Sequence, residues 1–188
     1  MDQRPLALRP HDVVVALQLV LTPRASYPEL ADLVGLSVGE SHNSVRRLRA
    51  AHLVLPGRSK RVNKRALVEF LLHGVPYAYP GQLGPVTRGV PTAHAGPALW
   101  ERFRAPDVVV WPSPKGNARG ESIVPLCPRA ADLEQTNPAL YRWLTLVDAL
   151  RIGRSRERSI ASQILEQEIQ EGEAEWVQNP APTDTSWN

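Results

Sequence analysis

His42, Asn43, Arg46, Arg47 and Arg49 fall within one short stretch of a 188-residue chain. Their side chains suit contact with a polyanion. An amide such as Asn43 can exchange two hydrogen bonds with adenine, and a guanidinium such as Arg46 can donate two to guanine, so these are the base-reading candidates. Arg47 and Arg49 suit phosphates, contacts that set register and affinity without specifying sequence. His42 suits either role and is equally compatible with an idle surface position. Further along, Arg58, Lys60 and Arg61 form a second basic group suited to phosphates.

Catalytic chemistry has little to stand on. His11, His42, His52, His73 and His94 show no paired metal-ligand spacing, and the single cysteine, Cys127, has no second soft ligand near it in sequence. Cys127 reads as a small buried hydrophobe. No nucleophile elbow or phosphate-binding lysine loop is present. The glycine-rich stretch 80–89 lacks the lysine and spacing of a P-loop and reads as a linking loop. The expectation is a chain that is not an enzyme and carries no cofactor or metal.

The elements that would position the polar group begin at Pro10. Arg9-Pro10 places proline in a first turn, Asp12 favours the helix dipole, and Val13, Val14, Leu17, Val20 and Leu21 recur at helical spacing up to Thr22-Pro23. Ser26 with Glu29 forms a capping box for a short second helix, which Gly35 ends. Ser37 with Glu40 forms another, opening a third helix from Val38 to about Ala51 that buries Ser41, Val45 and Leu48. That pattern leaves Gly39, Glu40, His42, Asn43, Arg46 and Arg47 facing outward, with Ser37 beside them. Two capped helices around a tight turn make a helix-turn-helix, whose second helix fits the major groove. Leu53 to Leu55, the basic tip 57–61 and Val62 predict a short or rudimentary wing. Asn63 then caps a fourth helix.

Proline is abundant, with 18 residues, most of them between Pro76 and Pro138. This predicts an irregular middle with short strands at Val108–Trp111 and Ile123–Leu126. Asn137-Pro138 opens a helix with Leu140, Trp143, Leu144, Val147 and Leu150 along it; Gly153 interrupts, and another helix runs from Ser155 to about Gln170. These helices either pack back on the domain or form a homodimer surface through Leu140, Trp143, Leu144, Val147 and Leu150. Arg151, Arg154, Arg156 and Arg158 form a competing basic patch. The fold class is therefore mainly α with a small β component: a winged helix-turn-helix over 9–74, a Pro/Gly-rich region over 75–136, C-terminal helices over 137–171 and a mobile polar tail over 172–188.

Charge distribution agrees with a polyanion partner at the N-terminal end. Residues 1–66 carry 11 Lys/Arg against 5 Asp/Glu, whereas 135–188 carry 5 against 8. No apolar run reaches the roughly 18 residues of a membrane span, and no signal-like segment opens the chain, so a cytoplasmic protein without membrane contact is expected.

Glu29-Leu30-Ala31, Gly35-Leu36-Ser37, Arg46 or Arg47 with Leu48, and Leu53-Val54 together resemble the core of bacterial winged-helix regulators of the MarR-like kind, over about residues 9–72. The C-terminal part, around 147–158, resembles that of uncharacterised helix-turn-helix proteins. The resemblance implies a homodimeric, sequence-specific regulator of transcription, usually a repressor. It places groove contacts at Gly39, Glu40, His42, Asn43, Arg46 and Arg47 and wing contacts at Arg58, Lys60 and Arg61 of double-stranded DNA. The competing reading is an antitoxin-like or defence-associated adaptor whose C-terminal half binds a protein.

Overall fold

A computed structural model describes residues 6–103 and 107–171; the expected tail, 172–188, lies outside them. The chain is mainly helical, with one small three-stranded sheet. Helix α1 (Pro10–Leu21) starts with proline where the missing N–H costs nothing, and Asp12 accepts the Arg9 N–H at 2.8 Å. From Val13 to Leu21 only Gln18 is polar, so the helix is buried on every side and not along one stripe. Gln18 is satisfied: its amide donates to Thr22 Oγ1 (3.0 Å) and accepts from Asn137 Nδ2 (2.7 Å).

Helix α2 (Tyr27–Val34) carries the expected capping box, in which Glu29 accepts the Ser26 N–H at 2.7 Å while Ser26 Oγ accepts from Glu29 N. Gly35, at φ +68°, ends it in the left-handed region that glycine enters without penalty. Helix α3 (Val38–Ala50) is capped by Ser37 Oγ, which accepts the Glu40 N–H at 3.1 Å. The second half of that expected capping box is missing, because the Glu40 carboxylate is taken by Arg47 and His11.

After α3 the chain pairs briefly with itself. Leu55 N–H donates to the Arg61 carbonyl, Asn63 N–H to the Leu53 carbonyl, and Val54 faces Val62 in an antiparallel bridge. Asn63 Oδ1 then caps helix α4 (Lys64–His73) at the Ala66 N–H.

Helix α5 (Val75–Ala78) leads into strand β1 (Leu83–Thr92), followed by α6 (Trp100–Phe103), β2 (Val109–Pro112) and β3 (Ala118–Ile123). Strand β1 pairs antiparallel with β3 over its first half and with β2 over its second, and β2 and β3 pair in parallel over two residues. The stretch 80–89, expected as a loop, is thus largely strand. Its glycines serve close packing: a Cβ at Gly89 would run into the Trp111 carbonyl on β2. The strand expected at 123–126 ends where it was to begin, and 118–123 pairs instead. Between Gly84 and Val86 the register shifts at Pro85, which cannot donate to the ladder.

Helices α7 (Leu133–Thr136), α8 (Pro138–Ile152) and α9 (Ser155–Glu171) complete the chain. Helix α8 is central: it packs on α1, α4, α5, α9 and β1, and its apolar residues belong to the same core as those of α1. This corrects the expected dimer stripe. Leu140, Trp143, Leu144, Val147 and Leu150 are all at most 4% exposed within the single chain, because neighbouring helices and the sheet surround α8. No helix of the described residues is long and apolar enough to cross a membrane.

A buried polar cluster ties α8 to the sheet. Asp148 Oδ2 accepts from Trp111 Nε1 (2.6 Å) and Thr92 Oγ1 (2.8 Å), and Oδ1 accepts from Arg151 Nη1 (2.6 Å). Arg151 also donates to the Tyr79 and Val124 carbonyls, which pins the chain on either side of β1 and β3. Burial pushes the Asp148 carboxyl above the ordinary range, against the pull of Arg151, Thr92 and Trp111. Arg151 therefore leaves the basic patch expected at 151–158; Arg158 Nε is bonded to the Leu150 carbonyl, and Arg156 stacks over Phe103 at 5.8 Å.

Candidate nucleic-acid interface

The surface around α3 is set by which of its residues the fold consumes. Ser41, Ser44, Val45, Arg47 and Leu48 face inward against α1 and α2. Gly39, His42 and Arg46 are exposed, Asn43 is half-buried, and the space over Gly39 is open. Among the described residues Arg46 has no hydrogen bond or ion pair, so its guanidinium is free for a ligand. The helix thus presents an uncluttered first turn, then an imidazole, an amide and a guanidinium within two turns.

Arg47 is the main correction to the expected set. It is buried, not outward, and its fork grips Asp12 with both arms: Nε to Oδ2 and Nη2 to Oδ1, each at 2.7 Å. The same Nη2 lies 2.6 Å from Glu40 Oε1 and 3.1 Å from Ser44 Oγ. The hydrogen bonds that Asp12 accepts, outweighing burial, raise the arginine's affinity for its proton still further. Residues 40, 44 and 47 lie three or four apart and form one ridge of α3 that meets the first turn of α1.

Glu40, also expected to face a ligand, is a member of this cluster. Burial pushes its carboxyl up, but hydrogen bonds from Arg47 and His11 outweigh that and hold it below the ordinary range. His11 Nε2 sits 2.8 Å from Glu40 Oε1 and 3.1 Å from Arg47 Nη2. A proton on that nitrogen serves Glu40; its absence serves Arg47. The cluster thus joins an aspartate in the first turn of α1 to an arginine on the buried, serine-lined face of α3, a pair that no local spacing links.

The flanks of α3 are organised by ring contacts. His42 lies 5.0 Å from the Tyr27 ring at the start of α2, and Lys60 Nζ stands 4.8 Å over that same ring. A cation over an aromatic face contributes roughly 0.5–1 kcal/mol at an exposed site. The contact draws the tip of the 53–63 hairpin towards the N-terminal end of α2. Arg49 Nη2 adds a bond to the Ser59 carbonyl at 3.1 Å, which removes Arg49 from the free cations. Arg58 and Arg61 remain exposed without a partner among the described residues.

The structure therefore brings together Ser37, Gly39, His42, Asn43 and Arg46 on or beside α3, with Lys60 linked to them through Tyr27, and withdraws Arg47 and Glu40. Tyr27, which was not among the expected contact residues, joins this surface through its ring contacts with His42 and Lys60. Among the described residues no group of His, Cys, Asp or Glu is arranged to hold a metal ion. The Cys127 thiol is buried, and that burial pushes it up to about 11, far from a reactive thiolate. Comparison of the chain with protein-family models, curated proteins and solved structures yields no match.

Proposed function

We propose that this chain is a sequence-specific double-stranded DNA-binding regulator of transcription, with α3 as the reading helix of a winged helix-turn-helix. The observation that carries the reading is the exposed face of α3. His42, Asn43 and Arg46 are presented there beside an open first turn, on a helix fixed by Ser37 at its start and by Arg47 on its inner side. A helix of that diameter fits the major groove, and Asn43 and Arg46 have the donor geometry for adenine and guanine edges. The antiparallel hairpin at 53–63 acts as a short wing, with Arg58, Lys60 and Arg61 on backbone phosphates.

The reading does not use α8 as a dimer surface, since its apolar residues are spent inside the chain. A repressor acting on paired half-sites would join its copies elsewhere, and the operator's symmetry reports on this directly.

Selection of duplexes from a random pool, followed by titration of the enriched site, tests the function. Wild type should enrich one motif, and Asn43→Ala/Arg46→Ala should lose about 1–3 kcal/mol of discrimination per base pair read. An inverted repeat would signal two copies on one site. Equal binding of all duplexes by wild type and variant alike, with steep salt dependence alone, would sink the sequence-specific reading.

A further inference from the structure

On the sheet, Arg88 of β1 and Arg119 of β3 are register partners, directly opposite each other on one exposed face. The pairing is of the tighter kind. The Arg88 carbonyl accepts from Ser113 N at 3.1 Å, so the backbone polar groups of Arg88 point to the β2 side and not at Arg119. In such a non-hydrogen-bonded antiparallel pair the Cα atoms approach to about 4.5 Å and the side chains are at their closest. Like charges placed so are destabilising. The turn that follows β2 adds a third cation. Gly116 packs on the backbone of Gly89, so the exposed Lys115 sits in a turn whose backbone adjoins the residue after Arg88.

None of these three cations has a side-chain hydrogen bond or ion pair among the described residues. Glu121, two residues beyond Arg119 on the same face, sits opposite Val86, diagonal to Arg88. It is not within ion-pair distance of either arginine, and the face keeps an excess of positive charge. A fold that places two unpaired arginines at the closest cross-strand spacing gives up some stability, and an anion that bridges them relieves the repulsion.

We propose that Arg88, Arg119 and Lys115 form a second DNA-contacting surface, which holds the phosphate backbone of double-stranded DNA outside the segment read by α3. The inference rests on the DNA-binding reading of α3 and extends it. The partner is a polyanion by charge complementarity, and duplex phosphates in particular because they present closely spaced charges to cations fixed by the backbone. Contacts of this kind are indifferent to sequence and raise affinity by linking two weak sites on one molecule.

The test uses the full chain and long random-sequence duplexes, titrated across a salt series with wild type, Arg88→Ala/Arg119→Ala and Arg88→Lys/Arg119→Lys. The alanine variant should bind every sequence more weakly. Its plot of log affinity against log salt should be shallower by about two, close to one for each phosphate that no longer meets a guanidinium. The lysine variant should restore the slope, and the alanine variant's thermal midpoint should equal or exceed that of wild type. An unchanged slope and affinity in the alanine variant, while Asn43→Ala/Arg46→Ala still abolishes motif selection, overturns this surface and leaves the α3 reading intact. Weaker retention of the alanine variant on immobilised polyglutamate, with unchanged binding to DNA, also overturns it, in favour of an acidic protein. No duplex binding by wild type removes the α3 reading and this one together.

Discussion

Arg47 ties α3 to α1 near the candidate interface, and Asp148 ties α8 to the sheet in the interior. Both are buried arginine–carboxylate clusters, but they differ in where the surplus lies. Around Arg47 a cation is shared among carboxylates, Asp12 at its core and Glu40 at its edge, with the Glu40 side chain 26% exposed. Around Asp148 one carboxylate is shared among donors, and both charged partners are at most 5% exposed. The first cluster is open to water on one flank and holds the helix that faces a ligand; the second is sealed. The clamp that fixes α3 is thus open to water at Glu40, whereas the one that holds the scaffold behind it is closed to solvent.

Removing the sealed carboxylate should have the largest effect. Asp148→Ala strands the Arg151 guanidinium, the Trp111 indole N–H and the Thr92 hydroxyl in a dry interior, and breaking one side of a buried pair costs about 3–5 kcal/mol. Denaturant unfolding should report a destabilisation in that range. A change under about 1 kcal/mol would show that water enters this region and would erase the contrast. Next comes Arg47→Ala, which leaves Asp12 buried without its counter-charge. Its cost should fall near the lower end of the same range, about 3 kcal/mol, since Glu40 can turn to water. The same variant should weaken motif binding beyond any effect on folding, measured at a temperature where the protein remains folded, because α3 is no longer anchored to α1. Neighbouring Arg46, in contrast, has no intrachain partner among the described residues.

The adjacency of Arg46 and Arg47 shows how far a sequence can be read. Helices α1 to α4, α8 and α9 were legible because their ends carry local chemistry: proline at Pro10 and Pro138, side-chain caps at Ser26, Ser37, Asn63 and Asn137, and glycine at Gly35. Gly39, His42, Asn43 and Arg46 were legible as outward-facing because the apolar spacing of Val45 and Leu48 sets the inner face. Arg47 was not, since its burial depends on Asp12, 35 positions away, and nothing local announces the pair. Strand β1 was hidden for a related reason. Gly84, Pro85 and Gly89 read as loop formers, but their role is set by how closely β2 and β3 approach. The stripe on α8 was seen correctly as apolar, but whether the domain or a second copy covered it stayed open, because periodicity gives a face and not its partner.

Acid should separate the two clusters by a smaller, pH-dependent effect. Glu40 is held below its ordinary value of 4.5 in the folded chain, so it binds protons less readily there than in the unfolded chain. Its contribution is then fully present above about pH 4.5 and disappears as pH falls through the folded value. Glu29, lowered by its cap bonds to Ser26, titrates in the same direction, so the informative quantity is the difference between wild type and Glu40→Gln. At neutral pH the glutamine keeps an acceptor but carries no charge, and should cost about 1 kcal/mol. That gap should close as pH falls below 4.5, because protonation makes wild type resemble the variant. Asp148 works the other way. Its raised value makes the folded chain the stronger proton binder, so its contribution weakens as pH climbs from the ordinary carboxylate value towards the folded one. Unfolding curves from about pH 3 to 7 on both proteins discriminate the two. A gap that is constant across that range would mean that Glu40 is no part of the clamp, and the contrast between an open and a sealed cluster would then rest on Arg47 and Asp12 alone.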